Sequence, residues 1–154
     1  MLKKIEMTVN GRKRSVEIDI RESLMDVLRN RLGLTSVKHA CGVGECGACA
    51  VMVDGETVDS CIYLAVWAEG REVRTVEGLA QDGKLSRMQQ SFVDEGAVQC
   101  GFCIPGFLMT ATEISEKHKQ MTREEVKRAL SGHLCRCTGY QKILEATEKG
   151  LRQD

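Results

Sequence analysis

The chain of 154 residues has no surplus of either charge: 22 lysines and arginines stand against 22 aspartates and glutamates. Holding nucleic acid or an anionic membrane by charge requires a basic excess, so neither class of partner is expected. Long apolar runs are missing too, and no stretch approaches the roughly 18 residues a bilayer-spanning helix needs. The first residues, Met1-Leu2-Lys3-Lys4, pass straight into an alternating pattern with no apolar h-region or cleavage site. No export signal is therefore expected, and the cytoplasm, or a complex folded there, is the expected location. Catalytic side chains are scarce. The three histidines, His39, His118 and His133, are scattered: His39 reads as a solvent-facing loop residue beside Cys41, and His118 as part of a helix face or its edge.

Cysteine is what the chain does have, in two sets of four. Cys41, Cys46, Cys49 and Cys61 follow C-x4-C-x2-C, with the fourth after a further 11 residues; Cys100, Cys103, Cys135 and Cys137 pair C-x2-C with C-x-C across 31 residues. Eight cysteines without an export signal read as metal ligands before disulfides. The first spacing is that of plant-type ferredoxins, whose four thiolates hold a [2Fe–2S] cluster. Zinc is the competing metal, but neither set has the two short C-x2–4-C knuckles of a structural zinc site. In the loop Cys41–Cys49, Gly42, Gly44, Gly47 and Ala48 remove side chains, so that backbone N–H groups can point at sulfur and the left-handed conformations needed for wrapping are accessible. Cys100 and Cys103 fall at the start of a helix, where the positive dipole end favours thiolates. Two such centres form a wire that carries single electrons. No residue supplies an open coordination site or a general base, so the chain is expected to move electrons and not to make bonds.

Two units are expected, 1–78 and 79–154, both small enough for metal centres to matter to their stability. In the first, Ile5, Met7 and Val9 alternate, as do Val16, Ile18 and Ile20, around the hairpin signal Asn10-Gly11. A helix with Leu24, Val27, Leu28 and Leu32 on one face stops at Gly33. Residues 50–53 and 56–58 flank a second hairpin at Asp54-Gly55, a short helical stretch runs from Cys61 to Ala68, and 72–76 is a last strand. The sum is a β-grasp sheet. After Gly78 the period becomes helical: Leu85, Met88 and Phe92; Phe107, Ala111, Ile114 and His118, with Pro105 in the first turn; Val126 and Leu130 behind a Thr122/Glu125 capping box; and Ile143, Leu144, Thr147 and Leu151. Four helices make a small bundle, joined to the first unit by a linker over 78–84.

The segments GVGECGACAVMVDG (42–55), QCGFCIPG (99–106) and SGHLCRCTGYQKI (131–143) resemble the iron–sulfur subunit of the molybdenum hydroxylases, the family of xanthine dehydrogenase, aldehyde oxidoreductase and carbon monoxide dehydrogenase. Residues 61–78 lean toward bacterial xanthine dehydrogenase subunits. The resemblance implies an α+β chain, with an N-terminal ferredoxin-like domain and a C-terminal four-helix bundle, each holding one [2Fe–2S] cluster. It also implies a large subunit carrying molybdopterin and a medium subunit carrying FAD, in a dimer of heterotrimers. Electrons would pass from molybdenum to the Cys100 set, then to the Cys41 set, then to FAD. Gln99 matches a position that hydrogen-bonds the pterin, and Cys137 one whose surroundings contact the pterin edge. Three positions depart from the family pattern: Ile104 stands where threonine is usual, His133 where asparagine is usual, and 117–122 lacks the customary prolines. A free-standing two-cluster carrier and a zinc-stabilised interaction protein are the alternatives. The neutral charge favours a subunit over a carrier, since free plant-type ferredoxins are acidic.

Overall fold

The computed structural model describes residues 1–118 and 120–152. Strands β1 (Leu2–Val9) and β2 (Arg12–Asp19) form an antiparallel hairpin about Asn10-Gly11, where both residues have positive φ (49° and 75°). This is the mirror-image turn whose twist suits the flanking strands. Strands β3 (Ala50–Val53) and β4 (Glu56–Asp59) repeat the arrangement about Asp54-Gly55. The last strand, β5 (Glu72–Arg74), runs between them, parallel to β1 and antiparallel to β3, giving the order β2-β1-β5-β3-β4. A parallel pair needs a long crossover. Helix α1 (Leu24–Asp26), which runs on as a π-type turn over Val27–Arg31, lies on that crossover together with the first cysteine loop. Ile5, Met7, Val9 and Ile18 meet Leu24, Val27 and Leu28 in one buried core, and Gly33 ends the helical segment at φ 71°.

Four further helices follow: α2 (Arg87–Asp94), α3 (Ile104–Lys117), α4 (Arg123–Ala129) and α5 (Gln141–Leu151). They close a second core around Phe92, Phe107, Met109 and Ile143. Both α2 and α4 carry a capping box, at Ser86/Gln89 and at the expected Thr122/Glu125. The chain is thus α+β, a mixed five-stranded sheet followed by helices. Among the described residues, no helix is long and apolar enough to cross a membrane.

The structure corrects several expectations. Leu85 lies before the Ser86 cap and is exposed, because the capping box starts the helix at Arg87, two residues beyond it. His118 is the exposed C-terminal cap of α3 and not part of its buried face. Cys61 opens a turn; helical structure is confined to a 3-10 segment over Ala65–Ala68. Strand β5 ends at Arg74, and Val76–Gly78 coils into a 3-10 turn with Gly78 packed against the Asn10 side chain. The expected linker is anchored at this end, and Leu79 is buried in the helical core. The customary prolines missing near 117–122 border Lys119, which lies outside the described residues.

Helix α3 rests across the second hairpin. Glu113 accepts the Thr57 N–H at 2.8 Å and Lys117 at 2.7 Å, Lys117 also reaches Glu56, and Arg74 pairs with Glu116 at 2.7 Å. Met52 of β3 is packed into the helical core. Replacing Glu113 by alanine leaves the half-buried Thr57 N–H without its partner. A loss of about 1–3 kcal/mol is expected, read as a lower thermal midpoint of the cluster-loaded chain.

Candidate metal centres

The first cysteine loop is held from both sides. Arg29 donates to the Val37 carbonyl at 2.5 Å, Lys38 N–H donates to Ala48 O, and buried Ser60 donates to the Cys49 carbonyl at 2.6 Å. Within the loop Gly42, Gly44 and Gly47 all have positive φ (69°, 75° and 68°), as the wrapping argument requires. The N–H groups of Val43 and Glu45 donate to Cys41 Sγ at 3.5 and 3.3 Å. These two amides, with Cys46, hold the Cys41 thiol down at about 6. Burial pushes Cys49 up to about 12, and neighbouring Cys61 and Asp59, whose carboxylate lies 3.9 Å from Cys49 Sγ, add to the effect. The space left by two of the glycines is taken by protein. A Cβ on Gly44 would stand 2.7 Å from Ile62, and one on Gly47 would clash with the His133 ring and lie 2.7 Å from the Gly132 carbonyl. His39 is exposed, its ring edge 3.3 Å from where a Cβ of Gly42 would lie.

The second set gathers where α3 begins and α4 hands over to α5. Cys103 is the N-terminal cap residue of α3, with Pro105 in the first turn. Ile104 is buried as the first helical residue, so the capping position expected there falls one residue earlier, on Cys103, and no side chain caps this helix. Cys135 and Cys137 lie in the α4–α5 turn. Tyr140, at φ 68°, turns its hydroxyl back to accept the Cys135 N–H at 3.0 Å. Thr138 holds Cys135 Sγ with its N–H at 3.3 Å and its hydroxyl at 3.0 Å. Burial opposes ionisation of Cys135, yet these contacts leave it below the ordinary thiol range, whereas burial and the adjoining Cys135 and Cys100 push Cys103 up to about 12. Cys137 contacts Cys100. Gln99, Cys100 and Cys137 are exposed together at this end.

The two sites touch. Leu134 N–H donates to the Cys46 carbonyl at 3.0 Å, and His133 Nδ1 lies 3.2 Å from the Gly47 carbonyl. Gly106, in the first turn of α3, lets the helix press against that same carbonyl, which a Cβ there would strike. Only the departure from asparagine drew attention to His133 in the sequence. Tyr140, Thr138 and Gly106 carried no signal of their own beyond standing beside cysteines.

Among the described residues, no three His, Cys, Asp or Glu groups converge tightly enough for a single metal ion. The thiols stand instead in contacting pairs: Cys41 with Cys46, Cys49 with Cys61, Cys103 with Cys135, and Cys100 with Cys137. A [2Fe–2S] cluster takes two protein ligands on each iron, so pairs of thiols suit it better than they suit tetrahedral zinc. Buried thiols such as Cys49 and Cys103 ionise only where a cation compensates, which is what a bound cluster supplies.

Comparison with known proteins agrees. Residues 7–80 match the family described as a 2Fe-2S iron-sulfur cluster binding domain, and residues 75–148 the [2Fe-2S] binding domain family. The chain is 53% identical over 142 residues to the xanthine dehydrogenase iron-sulfur-binding subunit of Escherichia coli O157:H7, covering 91% of this chain and 89% of the relative. It is 54% identical over 142 residues to the nicotine 6-hydroxylase small subunit of Paenarthrobacter nicotinovorans, covering 92% and 86%. Quinoline 2-oxidoreductase from Pseudomonas putida 86 has a chain that superposes with a TM-score of 0.94 at 43% identity, covering 97% of this chain and 94% of that one. The protein is therefore an iron–sulfur protein with two [2Fe–2S]-binding domains, the electron-relay part of an oxidoreductase and not its catalytic part. It belongs to the iron–sulfur subunits of the molybdenum hydroxylases, the xanthine dehydrogenase family.

The packing at Gly47 yields a direct test. Gly47→Ala adds a methyl group between two backbone segments and the His133 ring, at a positive φ that an L side chain rarely adopts. The variant is expected to lose iron, read as an iron content per chain below that of the wild type.

Proposed function

We propose that this chain relays electrons inside a three-subunit molybdenum hydroxylase of the xanthine dehydrogenase type. They pass from a molybdopterin centre on a large subunit to FAD on a medium one. The assignment rests first on the protein's own surface. Val43, Ile62 and Trp67 are exposed around or near the first cysteine set, and Val98, Phe102, Leu134 and Tyr140 around the second. Apolar side chains in water beside both redox sites suit permanent burial by partners. A diffusing carrier steered by charge carries a net excess of one sign, and this chain's net charge is zero.

In this reading residues 1–78 form a β-grasp, ferredoxin-like domain whose cluster is held by Cys41, Cys46, Cys49 and Cys61. Residues 79–154 form a four-helix domain whose cluster is held by Cys100, Cys103, Cys135 and Cys137. Each cluster, when bound, takes up and gives back one electron. The protein's part is to seat the thiolates, to bias them with the amides of Val43, Glu45 and Thr138, and to present an edge to each partner. Gln99 and Cys137, exposed at the rim of the second site, are proposed to face the pterin, and the Ile62 rim to face the flavin subunit. The mixed sheet beneath one set and the helices beneath the other support this division. The assembly is proposed to be a cytoplasmic dimer of heterotrimers.

Two experiments test this order. In the Cys49→Ser complex, substrate should still reduce molybdenum and the second cluster while FAD stays oxidised in stopped-flow spectra; flavin reduction at the wild-type rate would refute the sequence of carriers. Separately, Trp67→Glu should weaken retention of the flavin subunit, and Phe102→Glu that of the molybdopterin subunit, when each complex is sized by analytical ultracentrifugation. The opposite pattern would reverse the assignment of faces.

A further inference from the structure

His133 is 7% exposed and lies between the two cysteine sites, yet it belongs to neither set. Both ring nitrogens are engaged. The Gly47 carbonyl can only accept, so Nδ1 carries the hydrogen and donates to it at 3.2 Å. Nε2 is then the acceptor, and the Thr110 hydroxyl of α3 donates to it at 2.7 Å. The Phe107 ring packs against the imidazole, with centroids 4.8 Å apart. Gly47 and Gly106 are both stripped of the Cβ that would push the ring or the Gly47 carbonyl away. Four residues from two segments, Gly47 of the cysteine loop and Gly106, Phe107 and Thr110 of α3, thus hold one imidazole against one carbonyl, and no lone pair is left on the ring for a metal.

The neighbouring residues show what this arrangement holds in register. Gly47 follows Cys46, and His133 precedes Leu134 and Cys135. The Leu134 N–H to Cys46 carbonyl bond, at 3.0 Å, joins the backbones of two cysteines, one from each set. From Cys135 the covalent path runs through its own amide nitrogen and the Leu134 residue to that N–H. It crosses one hydrogen bond and continues through the Cys46 carbonyl and Cα to Cys46 Sγ. We propose that His133 is a positioning residue for electron transfer. By clamping Gly47 it fixes the Leu134–Cys46 hydrogen bond, and that bond is the bridge through which the two clusters are electronically coupled. One electron leaves the site of Cys135 as one arrives at the site of Cys46, with no proton or further reactant involved. The inference rests on the cysteine assignment proposed above.

The test is low-temperature electron paramagnetic resonance of the fully reduced complex, in which both clusters are paramagnetic, together with its iron content. His133→Leu removes the donor and fills the same space with an apolar side chain. Its spectrum should lose the exchange splitting between the clusters while the wild-type iron content remains. His133→Asn places an amide nitrogen near the position of Nδ1 and should restore the splitting. Thr110→Val leaves the ring in place, deletes the hydroxyl that orients it, and should reduce the splitting; it carries the test alone if His133→Leu loses iron. Wild-type splitting in both His133→Leu and Thr110→Val at full iron content, or in Thr110→Val alone where His133→Leu has lost iron, would overturn the bridge. A wild-type complex lacking one of the two clusters would instead overturn the cysteine assignment.

Discussion

The carbonyl groups of Cys46 and Gly47 are gripped by residues 133 and 134, on a turn that the sequence places far away, with 86 positions separating Gly47 from His133. The register of the two sites against each other depends on this contact. It needs a glycine at 47 and another at 106. It also needs α3 to lie across the sheet, which the Glu113 bond to the Thr57 N–H and the burial of Met52 in the helical core secure. Each half has its own hydrophobic core. Neither half alone would keep two cysteine loops in register, because backbone hydrogen bonds across a seam hold only if the surfaces on either side of them are fixed.

The cysteine sites add the second constraint. Thiols at Cys49 and Cys103 are buried beside other thiols, where the ionised form is costly without a cation among them. Where a cluster is held there, metal binding and folding are coupled: the backbone amides and the Thr138 hydroxyl are already aimed at sulfur, and the cluster would supply the missing favourable charge. Units of this size have little core to spare, and such coupling substitutes for part of it.

Much of this was legible in the sequence because it is local. The two hairpins follow from Asn-Gly and Asp-Gly, the Thr122 cap from its Glu125 partner, the helix faces of Phe92 and Phe107 from a 3.6-residue period, and the metal chemistry from cysteine spacing. What was not legible is set by tertiary context. Leu85 fits the helical period but falls outside the Ser86 cap; Cys61 sits in a turn although apolar residues follow it; His118 ends its helix in solvent. The parallel pairing of β1 with β5 joins residues more than 60 positions apart, and no local pattern encodes it. The glycines of the first loop were read as letting backbone N–H groups turn toward sulfur; that two of them also make room for Ile62 and His133 is set by tertiary packing. At His133 the sequence showed only an unusual residue, since its partners Gly47 and Thr110 lie on other segments.

The central claim is that both cysteine sets hold [2Fe–2S] clusters and that the chain works inside a molybdenum- and flavin-containing complex. The most direct measurement is to recover the tagged chain from its own host and quantify iron, molybdenum, zinc and flavin in what comes with it. The account predicts two larger partners, molybdenum, FAD, and two irons for each of two sites per chain. A chain recovered alone, or one carrying zinc in either cysteine set, would contradict it.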